Sequence, residues 1–487
     1  MRIRTERIRL LNGQLTLQVL IFSTIAILVL SAFVLWAQAN IQAVYRDSDR
    51  ALAFMIAESG VESYRWHLGH APNDYQDGTD HTGPYTHDFT DKDGNVVGTY
   101  VLDVTPPEAG STVVTIKSTG KVAANPDVQK VIETKMAVPS FTKYAAVVDG
   151  FLWYPEGSEI FGRIHSNSGV RIDGFAHNLV TSAVATFNDP THGGGNTEFG
   201  VHTHKTPADP LPPAPVPERS DVFGAGRDFP VAPVDFVGLS KDLSGLKASA
   251  QADHYYWGEQ SGNKEGYHVL LKTNDMFDLY EVTATEKAPN NCVKVRGEHD
   301  WATWSIETEN KIGTYALPPN GVMFFETDVW VDGQIDTARV TIGAGAFPEQ
   351  SQTWKNITIN KDLRFTNYDG RDVIGLVAQG NVNVGLYSND VLRIDGALIA
   401  QNGQVGRYYY KPAVSDQNQG CAPYDKRQQV TLYGLIASKE TYGFKYDDGT
   451  GYQDIVIIYD ANLPFGPPPN FPLTSGNYSP IFWSETQ

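Results

Sequence analysis

The strongest pattern along the chain is an uncharged apolar run at residues 15–37, LTLQVLIFSTIAILVLSAFVLWA. At 1.5 Å per residue it is long enough to cross a hydrocarbon core of about 30 Å. The pattern then changes without a break. Ile41, Tyr45, Ser48, Leu52, Met55, Ile56, Ser59, Ser63 and Trp66 recur at three- and four-residue steps, with Arg46, Asp47, Arg50, Glu58, Glu62 and Arg65 between them. This predicts an amphipathic continuation of the same helix, with breakers only at Gly69 and Pro72. A rod from Gln14 to Leu68 would be roughly 80 Å long. Before the span stand Arg2, Arg4, Arg7 and Arg9 against Glu6. Positive charge stays in the cytoplasm, so everything after Gln38 is expected outside it. The triplet Ala37, Gln38, Ala39 imitates a signal-peptidase site, but the apolar run before it is too long for a signal peptide.

Beyond the helix the period changes to two. Residues 96–104, 112–122 and 128–138 alternate apolar and polar positions, with turn signals at Pro106, Pro107, Asn125 and Pro126. A small antiparallel sheet packed on the outer half of the helix is expected. The stretch DKDGN at 91–95 imitates half a calcium loop, but the bidentate glutamate position is Tyr100, and a hairpin turn is the reading taken. From Phe141 a glycine-led pattern begins: GRIHS at 162, GLVAQ at 375, GALIAQ at 396 and GLIAS at 434. Such units suit coils of a β-solenoid, which bury their apolar stripes on one another; a β-sandwich is the alternative. The proline-rich stretch 206–217 should run extended, and 239–252 suits a short helix. Residues 251–315 contain strand-like runs without the glycine pattern and are expected to form an inserted β-domain. The fold class is therefore mainly β, with a long N-terminal helix, a small antiparallel sheet and a solenoid. The expected divisions are 1–13, 14–68, 69–140, 141–250, 251–315 and 316–487.

Composition narrows the function. Of 487 residues only 19% are charged, and the net charge is −18. An acidic body repels phosphate backbones at long range, so a nucleic-acid role needs a local basic patch. The two cysteines, Cys292 and Cys421, fall in the part expected outside the cytoplasm, where a disulfide is permitted. They either pair with one another or stand as two thiols, and their spacing does not suggest zinc.

The combination of a basic leader ending at Gly13, the polar start QLTLQ, the apolar span and AESGVE at 57–62 resembles type IV pilins, especially PilX-type minor pilins. The resemblance implies cleavage by a prepilin peptidase after Gly13, with Gln14 as the new N-terminus. It implies assembly with other pilins through the helix, involving Gln18, Glu58 and Glu62, and residence in the inner membrane before assembly. Most members carry glutamate where this chain has Gln18. A carboxylate inside the bilayer needs a partner, and a subunit with nothing above it lacks one, so Gln18 leans toward a tip position. The pieces NGVMFFETDVWVDGQI, DVIGLVAQGNVNVG, LRIDGALIAQNGQVG and YDANLPFGPPPNFP also resemble the outer domains of large solenoid-bearing pilins. Some of these are linked to competence and DNA uptake.

Candidate chemistry is sparse. His202 and His204 share a strand face by alternation, and His192 stands nearby; two imidazoles begin a metal site, but no third ligand is evident. A solvated loop, with no metal and no cofactor, is the expectation. Asp369, Asp372, Asp390, Asp395, Asp447 and Asp448 are scattered through turns, and no nucleophile with a base is recognisable, so no catalytic residue is assigned. The densest basic and aromatic patch is Arg407, Tyr408, Tyr409, Tyr410 and Lys411 with Lys426 and Arg427. Exposed, it would offer stacking faces and phosphate partners for extracellular DNA, or an adhesive face for another surface ligand. The reading is a minor pilin-like component of a pilus or secretion pseudopilus, near its tip. The alternatives are an uncleaved, membrane-anchored envelope protein and a solenoid carbohydrate-active enzyme.

Overall fold

The computed structural model describes residues 9–107, 111–190, 197–236, 239–262, 264–294, 301–413, 420–446, 448–473 and 477–486. The start of the basic leader, His192 and Asp447 lie outside them. The chain is mainly β, with one long helix, an antiparallel sheet and parallel sheets, arranged as two compact units.

The first unit contains the helix Arg9–His70, which runs unbroken through Gly13, Gln14, Gln18 and Gly69 and ends two residues before Pro72. Its apolar half is exposed all round; Phe22, for example, is 70% exposed. In water that surface would be unfavourable, and a bilayer is the solvent it suits. The outer half packs on a sheet ordered Tyr85–Thr90, Val96–Thr105, Val114–Val122, Asn125–Ala137 and Ser479–Thr486. DKDGN is the hairpin turn between the first two strands, with Asp91 Oδ1 accepting from the Asp93 and Asn95 amides at 2.9 Å. The fifth strand comes from the C-terminus. Thr134 Oγ1 donates to the Phe482 carbonyl at 2.7 Å, and Lys130 pairs with Glu485.

The buried stripe of the helix differs from the expected one. Ile56 is buried, but Ile41, Tyr45, Met55 and Trp66 are exposed. The face against the sheet is Ala53, Ile56, Ala57, Gly60, Val61, Tyr64 and Leu68. Small residues win because backbones meet there. A Cβ on Gly120 would lie 2.1 Å from the Ala53 carbonyl oxygen and 2.5 Å from the Ala57 nitrogen. Gly120→Val should therefore force helix and sheet apart, with a loss of about 3 kcal/mol or slightly more. Limited proteolysis in rising urea measures it: cleavage within this unit should begin at lower urea, and an unchanged profile would contradict the close approach.

The second unit is a stack of short parallel strands. Its longest ladder runs Tyr256–Trp257, Val322–Phe325, Arg339–Ala344, Val373–Ala378, then residues 397–400 and 435–438, followed by Ala146–Val148, Ile164–Ser166, Val180–Ser182 and Arg227–Asp228. All four glycine-led pieces therefore lie on one ladder. Spatial order departs from chain order, because Ile436, Ala437 and Ser438 pair with Ala146, Val147 and Val148 from far earlier in the chain. Residues 375–378 and 397–400 are apolar at every position because both faces are covered. Leu376, Ala378, Leu398, Ala400 and Ile436 point into the coils, where they pack with Val331, Val384 and Val405. Val377, Ala397, Ile399, Leu435 and Ala437 point the other way, onto Val234, Phe236 and the helix Leu239–Ala252 through Leu243, Leu246 and Ala250. That helix lies in the segment joining the two ends of the ladder.

Residues 251–315 do not stand apart as an inserted domain. Gly266–Leu271 pairs in parallel with residues 328–333 of the stack, and Met276–Thr285 and Ile306–Ala316 extend the same sheet as an antiparallel pair.

Candidate functional site

The basic and aromatic patch is built on the short strand Val405–Arg407, which lies in parallel register with Val382–Val384. Alternation puts Val405 and Arg407 on one face, and that face is inward. Arg407 is 0% exposed, Tyr408 5% and Tyr410 1%. The Arg407 guanidinium donates to the Gly385 carbonyl, to Ser388 Oγ at 2.9 Å, to the Leu386 carbonyl at 3.1 Å and to the Tyr424 carbonyl at 2.6 Å. The Tyr410 and Tyr452 rings lie 4.7 and 5.8 Å from it. Burial pulls its pKa below the ordinary arginine value. These carbonyls belong to coil corners, where the backbone turns away from the ladder, and the guanidinium fork serves several of them at once.

The tyrosines act likewise. Tyr410 Oη donates to the Ala302 carbonyl at 2.8 Å, Asn381 Nδ2 donates to Tyr408 Oη at 3.1 Å, and half-buried Tyr409 donates to Asp448 Oδ2 at 2.7 Å. With Leu386, Trp301 and Trp304 they enclose a disulfide between Cys292 and Cys421. Arg427 is half-buried, donating to the Leu386 carbonyl at 2.8 Å, and Lys411 is half-buried. Only Lys426 of the four cations is fully exposed. The expectation of an exposed DNA-binding patch is corrected for Arg407, Tyr408 and Tyr410, which are buried in a small core with residues of 286–294 and 301–305. The faces and charge of Arg407, Tyr408 and Tyr410 are therefore not presented at the surface for bases or phosphates.

The other candidates divide. Gly13 and Gln14 lie on the helix backbone, Gln18 and Glu58 are exposed on it, and Glu62 pairs with Arg65 at 3.1 Å on its exposed side. The scattered aspartates serve turns and corners. Asp372 accepts the Ala338, Thr366 and Asn367 amides, and Asp390 accepts the Gln428 amide. Buried Asp395, its pKa pushed up by desolvation, accepts the Phe365 amide and Tyr368 Oη. His202 and His204 are not on a solvated loop: His202 is fully buried and its ring centroid lies 5.4 Å from that of His204.

One titrating group was not legible in the sequence. His268, on Gly266–Leu271, sits with Nδ1 2.7 Å from Glu309 Oε2 and Nε2 3.2 Å from Asp332 Oδ2, with the Tyr280 ring stacked on it and Lys361 3.9 Å from Asp332. Burial alone would lower its pKa, but the two carboxylates outweigh it and raise the value from 6.5 to about 9. A raised pKa stabilises the folded chain fully below the unfolded value and is lost as pH rises through the folded one. Stability of the wild type relative to His268→Gln should therefore fall between pH 6.5 and about 9. Urea midpoints of the two proteins at several pH values check this; a pH-independent difference would contradict it.

No protein-family model matches the chain, and no curated protein matches it. Among solved structures, the competence-associated pilin ComZ from Thermus thermophilus aligns over 90% of this chain and 97% of that one, at 11% identity and a TM-score of 0.34.

Proposed function

We propose that this chain is a membrane-anchored, minor pilin-like component of a type IV pilus or a related secretion pseudopilus. Its parallel-stranded unit, read as a β-solenoid, is displayed outside the cytoplasm near a filament tip. The observation that carries the reading is the helix Arg9–His70, one half naked and apolar, the other laid on an antiparallel sheet by Ala53, Ala57 and Gly60. A helix of that kind supplies a membrane span before assembly and a packing surface for neighbouring pilin helices afterwards. The motif at 57–62 and the leader ending at Gly13 support the same role. Cleavage after Gly13 belongs to this proposal, as does partnership with other pilins.

For the displayed unit, the buried Arg407 group argues against DNA capture at that place, and the net charge of −18 adds to the argument. Adhesion to a protein or saccharide surface is the reading kept for an acidic unit with Tyr315 and Tyr368 exposed. Imaging the labelled chain on intact filaments tests the role. The expected result is label at filament ends and loss of attachment on deletion, with DNA uptake retained. Label confined to the cell body would favour an envelope protein that never enters a filament.

A further inference from the structure

The hairpin Thr186–Asn188 with Thr197–Phe199 folds back so that Asp189 meets the strand Val201–His202. Ligand atoms of Asp189, His202 and His204 all lie within 4.8 Å of one another. His202 Nε2 is 3.3 Å from Asp189 Oδ2. Donors bound to one tetrahedral ion at about 2.0–2.1 Å stand roughly 3.3 Å apart, so this edge is already the right length. The tautomer is set as well: His202 Nδ1 lies 2.9 Å from the Phe199 carbonyl oxygen, to which it donates, turning the Nε2 lone pair toward Asp189.

Charge points the same way. Around the two imidazoles ion-pair contacts join three buried carboxylates, Asp173, Asp189 and Glu198, and one guanidinium, Arg171. Arg171 Nη1 reaches Asp189 Oδ2 at 3.4 Å and its Nε reaches Asp173 Oδ2 at 2.7 Å; His204 Nε2 is 3.5 Å from Glu198 Oε1. The carboxylates outnumber the guanidinium, so the surround is electronegative, and a divalent cation held among them would relieve their mutual repulsion.

We propose that Asp189, His202 and His204 bind a divalent transition-metal ion of the zinc class. Two imidazole nitrogens and one carboxylate match zinc's preference over calcium or magnesium, which take oxygen ligands. Glu198 and Asp173 hold the shell around it: Glu198 beside the His204 ring, Asp173 accepting the His204 backbone amide at 2.8 Å. The ion staples the paired strands Thr186–Asn188 and Thr197–Phe199 to the strand Val201–His202 that follows them. His202 and His204 were recognisable in the sequence as a pair; Asp189 was not, because only the hairpin brings it back across the intervening residues.

The test uses the full chain without an affinity tag, in detergent, stripped with EDTA and titrated with cobalt(II) and then zinc chloride. The expected result is one cobalt per chain, with the strong visible absorption of a four-coordinate ion, displaced by zinc and released on acidification, since metal ligands must be deprotonated. Asp189→Asn and His204→Gln should each weaken binding about 100-fold or more, since even outer-shell changes cost 10–100-fold. His204→Gln alters the less buried imidazole, and circular dichroism establishes that it folds. Absence of saturable binding would overturn the proposal, as would binding unaffected by both variants. Histidines found protonated at neutral pH in metal-treated protein would do the same, because protons would then supply the missing charge.

Discussion

Arg407→Met is expected to lower the stability of the parallel-stranded unit by about 3 kcal/mol or more. Three effects compete. Removing a buried charge relieves a desolvation penalty of several kcal/mol. Against that, the Gly385 and Tyr424 carbonyls lose the guanidinium, while Leu386 keeps Arg427 and Ser388 keeps Tyr452 as partners. A buried polar group left unsatisfied costs about 1–3 kcal/mol. The Tyr410 and Tyr452 faces lose a cation worth about 0.5–2 kcal/mol each. The lost contacts outweigh the relieved penalty. Arg407→Lys should fall between wild type and Arg407→Met, because a point ammonium cannot reach carbonyls on both sides. Urea denaturation followed by tryptophan fluorescence is suited to this, with Trp301 and Trp304 beside the cluster. A midpoint for Arg407→Met equal to wild type would return Arg407 to the surface role that its composition first suggested.

Loss of the disulfide should have an effect of similar or larger size. Cys292 and Cys421 are separated by 129 residues, and closing so long a loop restricts the unfolded chain by up to about 5 kcal/mol. The bridge also holds Tyr408, Tyr410 and Trp301 in one cluster, so the Cys292→Ala, Cys421→Ala double variant should loosen residues 286–294 and 301–305 first. Hydrogen exchange of those residues, with and without reductant, reads this directly. Faster exchange there ahead of the ladder strands is the expected result. Free thiols in exported protein would remove the bridge from the account.

What was legible in the sequence follows from how local each signal is. The long helix was visible because an uncharged run acts without reference to anything distant; expected to stop at Leu68, it continues through Gly69 to His70. The glycine-led pieces were visible because a strand covered on both faces has to be apolar throughout, as residues 375–378 and 397–400 are. The helix face against the sheet was misread because size was taken as the mark of burial. Where Gly120 lets backbones touch, Ala53 and Ala57 are the buried residues and Met55 faces outward. The order of the stack was hidden for a different reason. Every coil offers its neighbour a similar edge, so nothing near Ala146 identifies residues 436–438 as its partner. The C-terminal strand Ser479–Thr486 shares that difficulty, since its sheet partner Asn125–Ala137 lies at the far end of the chain. Arg407 was misplaced because its neighbours in sequence are tyrosines and lysine, which suggest a surface; the alternation from Val405 was the signal that placed it inside.

The central claim is that the helix anchors a processed, exported, pilin-like chain. The most direct measurement is the N-terminal sequence of the protein recovered from envelopes or filaments. The account predicts a mature chain that begins at Gln14, with Gly13 and everything before it removed. A protein that still carries Met1 in the filament fraction, or that begins after Ala39, would contradict it.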